Sequence, residues 1–190
     1  MVRIFVAGAT GVIGSRLVGL LVADGHVVAG MTRSPEKAGL LRELGAEPVV
    51  CDAYDAEGLR GAVVHFRPDI VINQLTDLPD EQKPPFTANV RMRAEGASNL
   101  RAAYEASGAT KLIVQSIAWR PEGTGASVEA FVQSTLAAGG VVLRYGRLYG
   151  PGTYYEGEPP DPPRIQIDEA ARRTVPALDA PSGIVELVEP

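Results

Sequence analysis

The stretch Val2-Arg-Ile-Phe-Val-Ala-Gly-Ala-Thr-Gly-Val-Ile-Gly-Ser-Arg-Leu-Val18 decides the fold. Val2 to Ala7 is apolar and β-branched, the composition of a strand buried on both faces. Gly8, Gly11 and Gly14 follow at once, and Ser15 to Ala23 then carries Leu17, Val18, Leu20 and Leu21 at helical spacing. A strand, a glycine turn and a helix in that order are the context a dinucleotide-binding turn requires. Gly8 permits the tight turn, Gly11 admits a pyrophosphate close to the backbone, and Gly14 lets helix and strand pack closely. The helix N-terminus offers unpaired N–H groups and partial positive charge to the anion. Gly8, Thr10, Gly11, Val12, Ile13 and Gly14 are therefore the candidate pyrophosphate contacts, in preference to a glycine-rich turn without a ligand.

Outward from this turn the chain alternates between strands and helices. Val27–Met31, Pro48–Cys51 and Ile70–Asn73 read as strands, and the segments after Ser34-Pro35 and Asp55 read as helices. A Pro-rich loop through Pro85 leads to a long helix over Thr87–Ser107. The strand Lys111–Gln115, a helix over Ser127–Ala138 and the strand Val141–Arg144 complete the alternation. Such crossovers are right-handed and cover both faces of a parallel sheet. The expected class is α/β, a doubly wound parallel Rossmann-like sheet with a GxxGxxG turn, forming one domain over residues 1–190. After Gly150 the composition changes, with six of the fifteen prolines between Pro151 and Pro176 and three of the six tyrosines between Tyr149 and Tyr155. Residues 151–190, with a strand over Arg164–Ile167, a helix over Asp168–Leu178 and a strand over Ile184–Val188, are expected to form a small C-terminal cap on the substrate side.

The 190 residues carry 18 basic and 23 acidic side chains, a formal charge of −5, and 45% of them are hydrophobic. This is ordinary globular composition, with no basic cluster for nucleic acid. The longest apolar stretch, Leu17 to Met31, is broken by Asp24 and His26, and the strand-like start leads us to expect no secretory signal. A single cysteine, Cys51, excludes an internal disulfide and a thiolate-rich metal site, so a cytoplasmic setting is expected. His26 and His65 have no partners at metal-ligand spacing and read as surface residues.

GATGVIGSRLV resembles the short-chain dehydrogenase/reductase superfamily, in the extended or atypical branch that includes sugar-nucleotide epimerases and dehydratases. Asn89 with Glu95-Gly-Ala-Ser-Asn-Leu100, Arg144-Tyr-Gly-Arg-Leu-Tyr-Gly-Pro151 and Ile165-Gln-Ile-Asp-Glu-Ala170 resemble later segments of that family in register. The resemblance implies that Asp52 and Ala53 meet the adenine and that Asn73, Gln74 and Leu75 line the nicotinamide ribose. It also implies a homodimer contact through the 87–107 helix. Arg91 and Arg93, two apart on that helix, are expected to face solvent, and Asp168-Glu169 to cap the last helix.

Strand two ends Met31-Thr32-Arg33-Ser34, with no acid until Glu36. An NAD site usually places a carboxylate there, whereas the fork of Arg33 suits a 2′-phosphate, with Thr32 or Ser34 adding a hydroxyl. NADP(H) is expected over NAD(H). In the family a Ser or Thr after strand five works with a Tyr-x-x-x-Lys pair; Ser116 matches the serine, while Thr124 and Val128 stand at the other two positions, and no lysine follows Lys111. A second hydroxyl would come from Thr124, Tyr145, Tyr149, Tyr154 or Tyr155, with Tyr149 preferred from the family's Tyr-Gly-Pro segment. Trp119 and the tyrosines of 145–155 either line a substrate pocket or fill the cap. The leading reading is an NADP(H)-binding enzyme acting on a small organic metabolite as a reductase or epimerase, without a metal, with Ser116 and Tyr149 catalytic. The alternatives are a non-redox lyase, isomerase or cyclase, and a non-catalytic nucleotide sensor.

Overall fold

Strand β1 (Arg3–Ala7) runs through the middle of a seven-stranded sheet, where Ile4, Phe5, Val6 and Ala7 have no exposed surface. The computed structural model describes residues 1–78, 87–119 and 125–190. Its strands are β2 (Val27–Thr32), β3 (Glu47–Val50), β4 (Ile70–Asn73), β5 (Lys111–Ile117), β6 (Val141–Tyr145), β7 (Arg147–Tyr149), β8 (Arg164–Gln166) and β9 (Gly183–Leu187). The main sheet is ordered β3-β2-β1-β4-β5-β6-β9 and every pair in it is parallel. Pro48, which has no N–H to give a ladder, sits in the edge strand β3.

Helices cover both faces. On one, Leu17, Val18 and Leu21 of α1 (Val12–Ala23), Leu41 of α2 (Ala38–Glu43) and Ala170 of α7 (Ile167–Thr174) pack with Ile4 and Val6. On the other, Leu59 and Val63 of α3 (Ala56–Phe66), Leu100 of α5 (Ala97–Ser107) and Val132 of α6 (Gly125–Ala137) pack with Phe5, Val71 and Val114. The doubly wound sheet is therefore as expected. β2 lies on one side of β1 and β4 on the other, so the chain leaves β1 and β4 in opposite directions. A crevice opens there, beyond the carboxyl ends of the strands.

Several local features differ from the sequence reading. The 87–107 helix is interrupted: α4 (Thr87–Arg91) joins α5 through a π-helical turn, Met92–Gly96. Arg91 is exposed and pairs with Glu95 at 2.7 Å, but Arg93 is buried. Two helical positions differ by about 200° of rotation, so the two arginines cannot both face solvent. The tail also divides. β7 and β8 form a separate two-stranded ribbon, whereas α7 packs beside α1 and β9 extends the main sheet. Gln166, not Asp168, caps α7, its side-chain oxygen accepting from the N–H groups of Asp168 and Glu169. Asp168 instead pairs with Arg16 of α1 at 2.6 Å. The proline-rich loop over 79–86 and Thr124 lie outside the described residues.

Helix starts differ in kind. Asp55 accepts a hydrogen bond from the Gly58 N–H at 3.0 Å, while Ser34 makes no side-chain cap bond to the 3₁₀ turn that follows it. Asp55→Ala should therefore lower unfolding free energy by about 1 kcal/mol. Ser34→Ala should stay within about 0.5 kcal/mol. Urea titration with an unchanged slope checks both.

Candidate active site

The glycine turn is built by backbone crowding. Gly8 has φ +81°, and a Cβ there would stand 2.6 Å from the Gln74 carbonyl oxygen, at the end of the neighbouring β4. A Cβ at Gly14 would stand 2.1 Å from the Gly8 oxygen. Gly11 is different: its Cβ would meet only the Gly8 oxygen, at 3.3 Å, and Gly11 lines the open cavity. The first bond inside α1 runs from the Ser15 N–H to the Gly11 oxygen at 3.0 Å. The N–H groups of Val12, Ile13 and Gly14 therefore point outward from the helix start, where an anion can accept them. Thr10 faces sideways, its hydroxyl 3.0 Å from that of Thr32. These residues fit a dinucleotide pyrophosphate.

The residues expected to meet the adenosine stand at the ends of β2 and β3. Thr32 accepts from the Ser34 N–H at 3.2 Å, which folds the chain over after β2. The Arg33 side chain, 61% exposed, reaches Asp77 at 3.5 Å. The N–H of Asp77 in turn donates to Asn89 Oδ1 at 3.2 Å, so a chain of contacts spans the crevice mouth. Asp52 uses one oxygen to accept from the Tyr54 N–H, and the Ala53 carbonyl accepts from Asn99.

The cavity itself has a volume of about 540 Å³ and runs from Gly11–Gly14 to Ser116. Asn73 turns its side chain back onto the Leu75 N–H, and the Leu75 carbonyl accepts from Gln115. Gln74 lines the cavity and donates to the Tyr145 hydroxyl at 3.2 Å. Thr174 spends its proton on the Ala170 carbonyl, so the Tyr145 hydroxyl donates to Thr174 at 2.6 Å. Burial pushes the Tyr145 phenol up to about 12, with the hydrogen bonds to Thr174 and Gln74 acting the other way. It stays neutral at physiological pH. Ser116 is fully buried on the cavity wall and its hydroxyl has no partner among the described residues. A buried orphan hydroxyl marks where a ligand atom or water belongs.

Tyr149 stands elsewhere. Its hydroxyl donates to Glu189 at 2.6 Å, and the hydrogen bond and the charge of that carboxylate hold the phenol above its ordinary value. Glu189 also takes the Gln166 N–H and Arg164. Tyr149 is thus part of the hydrogen-bond cluster under the β7–β8 ribbon. Tyr154, Tyr155 and Trp119 do line the cavity, as does Val128. Arg93 lines it too, and burial draws its guanidinium below the ordinary value. The 200° offset from Arg91, whose partner Glu95 lies at i+4, was the available sign that Arg93 turns inward.

A seven-stranded parallel sheet with an anion cradle at its switch point and a cavity running from the cradle to a buried serine defines a Rossmann-like nucleotide-binding protein. The NAD(P)H-binding family matches residues 8–138, and the chain belongs to it. A 3-diazoavenalumate denitrifying reductase from Streptomyces is 39% identical over 182 residues, covering 80% of this chain and 58% of that protein. A UDP-glucose 4-epimerase from Mycolicibacterium smegmatis is 32% identical over 121 residues, or 58% of this chain and 37% of that one. The chain thus spans about half the length of the curated relatives it matches. The fold is shared with the UDP-glucose 4-epimerase of Thermus thermophilus in complex with NAD, at TM-score 0.76 and 24% identity over 98% of this chain and 77% of that one. The Campylobacter jejuni UDP-Glc/GlcNAc 4-epimerase superposes at TM-score 0.80 with 15% identity, over 99% and 78% of the two chains.

Gly11→Val should leave the protein folded, because only one carbonyl stands near the new Cβ, yet block nucleotide binding by filling the cradle. Gly14→Ala should lose stability by about 2 kcal/mol or more, since backbone must move. Calorimetric titration with NADPH and thermal melts distinguish the two.

Proposed function

We propose that this chain is an NADP(H)-dependent reductase of a small electrophilic organic substrate, a diazo compound being the substrate class. The observation that carries the reading is the chemistry of the cavity wall. Among its described residues are no Asp, Glu, His, Lys or Cys, and the tyrosine best fixed in it, Tyr145, stays neutral. Alcohol oxidation and sugar epimerisation need a group that accepts a proton. Reduction of an electrophile does not. The reduced nicotinamide supplies one hydride when bound, and an aryl diazonium that accepts it leaves as the arene plus dinitrogen, with no proton required from the protein.

The residues of the chain then bind and orient. The N–H groups of Val12, Ile13 and Gly14 hold the pyrophosphate, and Gln74 is fixed by its bond to Tyr145 at the cavity floor. The Ser116 hydroxyl is the donor facing the reacting atoms, and Trp119 and Tyr154 wall off the substrate side. The similarity to a reductase named for a diazo substrate, at 39% identity, supports this over the Mycolicibacterium smegmatis epimerase, which matches a smaller share of the chain in sequence at 32% identity.

NADPH oxidation followed by absorbance, with a diazotised aminoarene as substrate and Gly11→Val as the control for the uncatalysed reaction, tests the reading. Catalysed oxidation with arene formed one for one is expected. Secondary alcohols with NADP⁺ and UDP-glucose should give no turnover; rates on the order of 10 per second with either would overturn the reading. The preference for NADP(H) rests on Arg33, whose exposed pair with Asp77 is weak enough to exchange for a 2′-phosphate. Arg33→Ala should weaken NADPH by about 1.5–3 kcal/mol and leave NADH nearly unchanged. Equal losses for both nucleotides would place the arginine outside the 2′-phosphate site.

A further inference from the structure

Arg93 carries a charge into the interior with no anionic partner among the described residues. The residue is 9% exposed, and its Nη1 has no hydrogen-bond partner among the described residues. Its Cζ lies 5.8 Å from the centre of the Phe131 ring, a contact that leaves the N–H unsatisfied. The π-helical turn Met92–Gly96 sets this side chain between the cavity that Ser116 also lines and a second cavity lined by Phe131 and Ser134. Ser116 follows Val114 by two on β5, so it shares the sheet face that α5 covers. Two polar groups without a partner among the described residues, one cationic and one neutral, therefore lie along the same side of one cavity. The other charged residue on that wall among the described residues, Arg147, gives its Nη1 to the carbonyls of Asp161 and Pro162. A buried cation of this kind requires an anion.

Resting on the reading of the cavity as a nucleotide-dependent reductase site, we propose that Arg93 anchors an organic carboxylate, so that the substrate is a small aromatic acid. The fork of a guanidinium matches a planar carboxylate through two parallel N–H bonds. The pyrophosphate of the nucleotide is already matched at the start of α1, which leaves Arg93 for a second anion. Trp119, Tyr154, Ile117 and Val90 supply flat and apolar surface beside it, suited to an aromatic ring. With its acid on Arg93, such a substrate is held at one end, and Ser116 meets it at the other. Arg93 is a substrate-binding residue in this arrangement and sets specificity by charge.

Trp119 is the sole tryptophan of the chain and lines the cavity, so its fluorescence reports occupancy. The protein, with and without NADP⁺, is titrated with cinnamate and with cinnamamide, the uncharged counterpart. Cinnamate should bind at least about tenfold more tightly, the scale of one charge-assisted hydrogen bond. Arg93→Met should bring that preference close to one and leave NADP⁺ affinity unchanged, while Arg93→Lys should keep part of it. Equal affinity of the wild type for acid and amide overturns the proposal whether or not any variant folds. No saturable quenching by either compound up to about 10 mM does the same. Displacement of cinnamate by equimolar inorganic phosphate would make the site a general anion site and overturn the carboxylate assignment. Acid preference without NADPH oxidation by a diazoarene would remove the reductase reading and leave the anchor standing. Oxidation without acid preference would do the reverse.

Discussion

The structure depends on how closely three pieces of backbone approach one another at the end of β1. Gly8 lies against the Gln74 carbonyl, and Gly14 lies against Gly8 itself, at distances that no side chain tolerates. This contact sets β1 beside β4 and sets the start of α1 directly over the seam between them. The crevice, the exposed helix N–H groups and the position of Gln74 all follow from it. Gly11 is the exception that gives the arrangement a purpose, because the space beside it is not used by the protein.

The other wall of the crevice carries a cost. Burying an arginine whose Nη1 has no partner among the described residues costs about 1–3 kcal/mol in folding. The π-helical turn that brings Arg93 inward is a further departure from the regular ladder, of the kind that recurs at functional sites. Met92, Leu100 and Val114 pack around this segment and hold it in place. The same wall lacks a described carboxylate. Electrostatically the described wall is cationic at both ends, with the N–H groups at the start of α1 at one and Arg93 at the other.

The tail holds the crevice from the outside. Arg16, one turn into the phosphate helix, joins Asp168 of α7 and the Pro151 carbonyl at 2.6 and 2.7 Å. Hydrogen bonds from Gln166 and Arg16 hold the Asp168 carboxyl below its ordinary value. Both groups are partly exposed, so the pair contributes position more than stability. Tyr149, Arg164 and the Gln166 N–H converge on Glu189 just beyond β9. The β7–β8 ribbon is thereby fixed to the sheet edge, and Tyr154 and Tyr155 are carried over the cavity mouth.

Periodicity and glycine spacing in the sequence determined the α/β class, the parallel character of the sheet and the tight glycine turn after β1, because these follow from local backbone sterics and from burial on two faces. Ser116 was singled out by its match to the family's serine after strand five; it stands within β5, one residue before the end of that strand, on the cavity wall. The direction of individual side chains was not legible. Tyr149 lies in the motif that suggested a catalytic role, yet Glu189, forty residues later, takes its hydroxyl. Arg93 sat two residues from an exposed arginine, and only the π-helical turn and the packing of α6 made it a buried cation on the cavity wall. The tail's last helix and strand return to the sheet because Ile167, Ala170 and Leu187 complete the core on that face. Such choices depend on contacts between residues far apart in the chain, which a local pattern such as the spacing of Arg91, Arg93 and Glu95 hints at but does not fix.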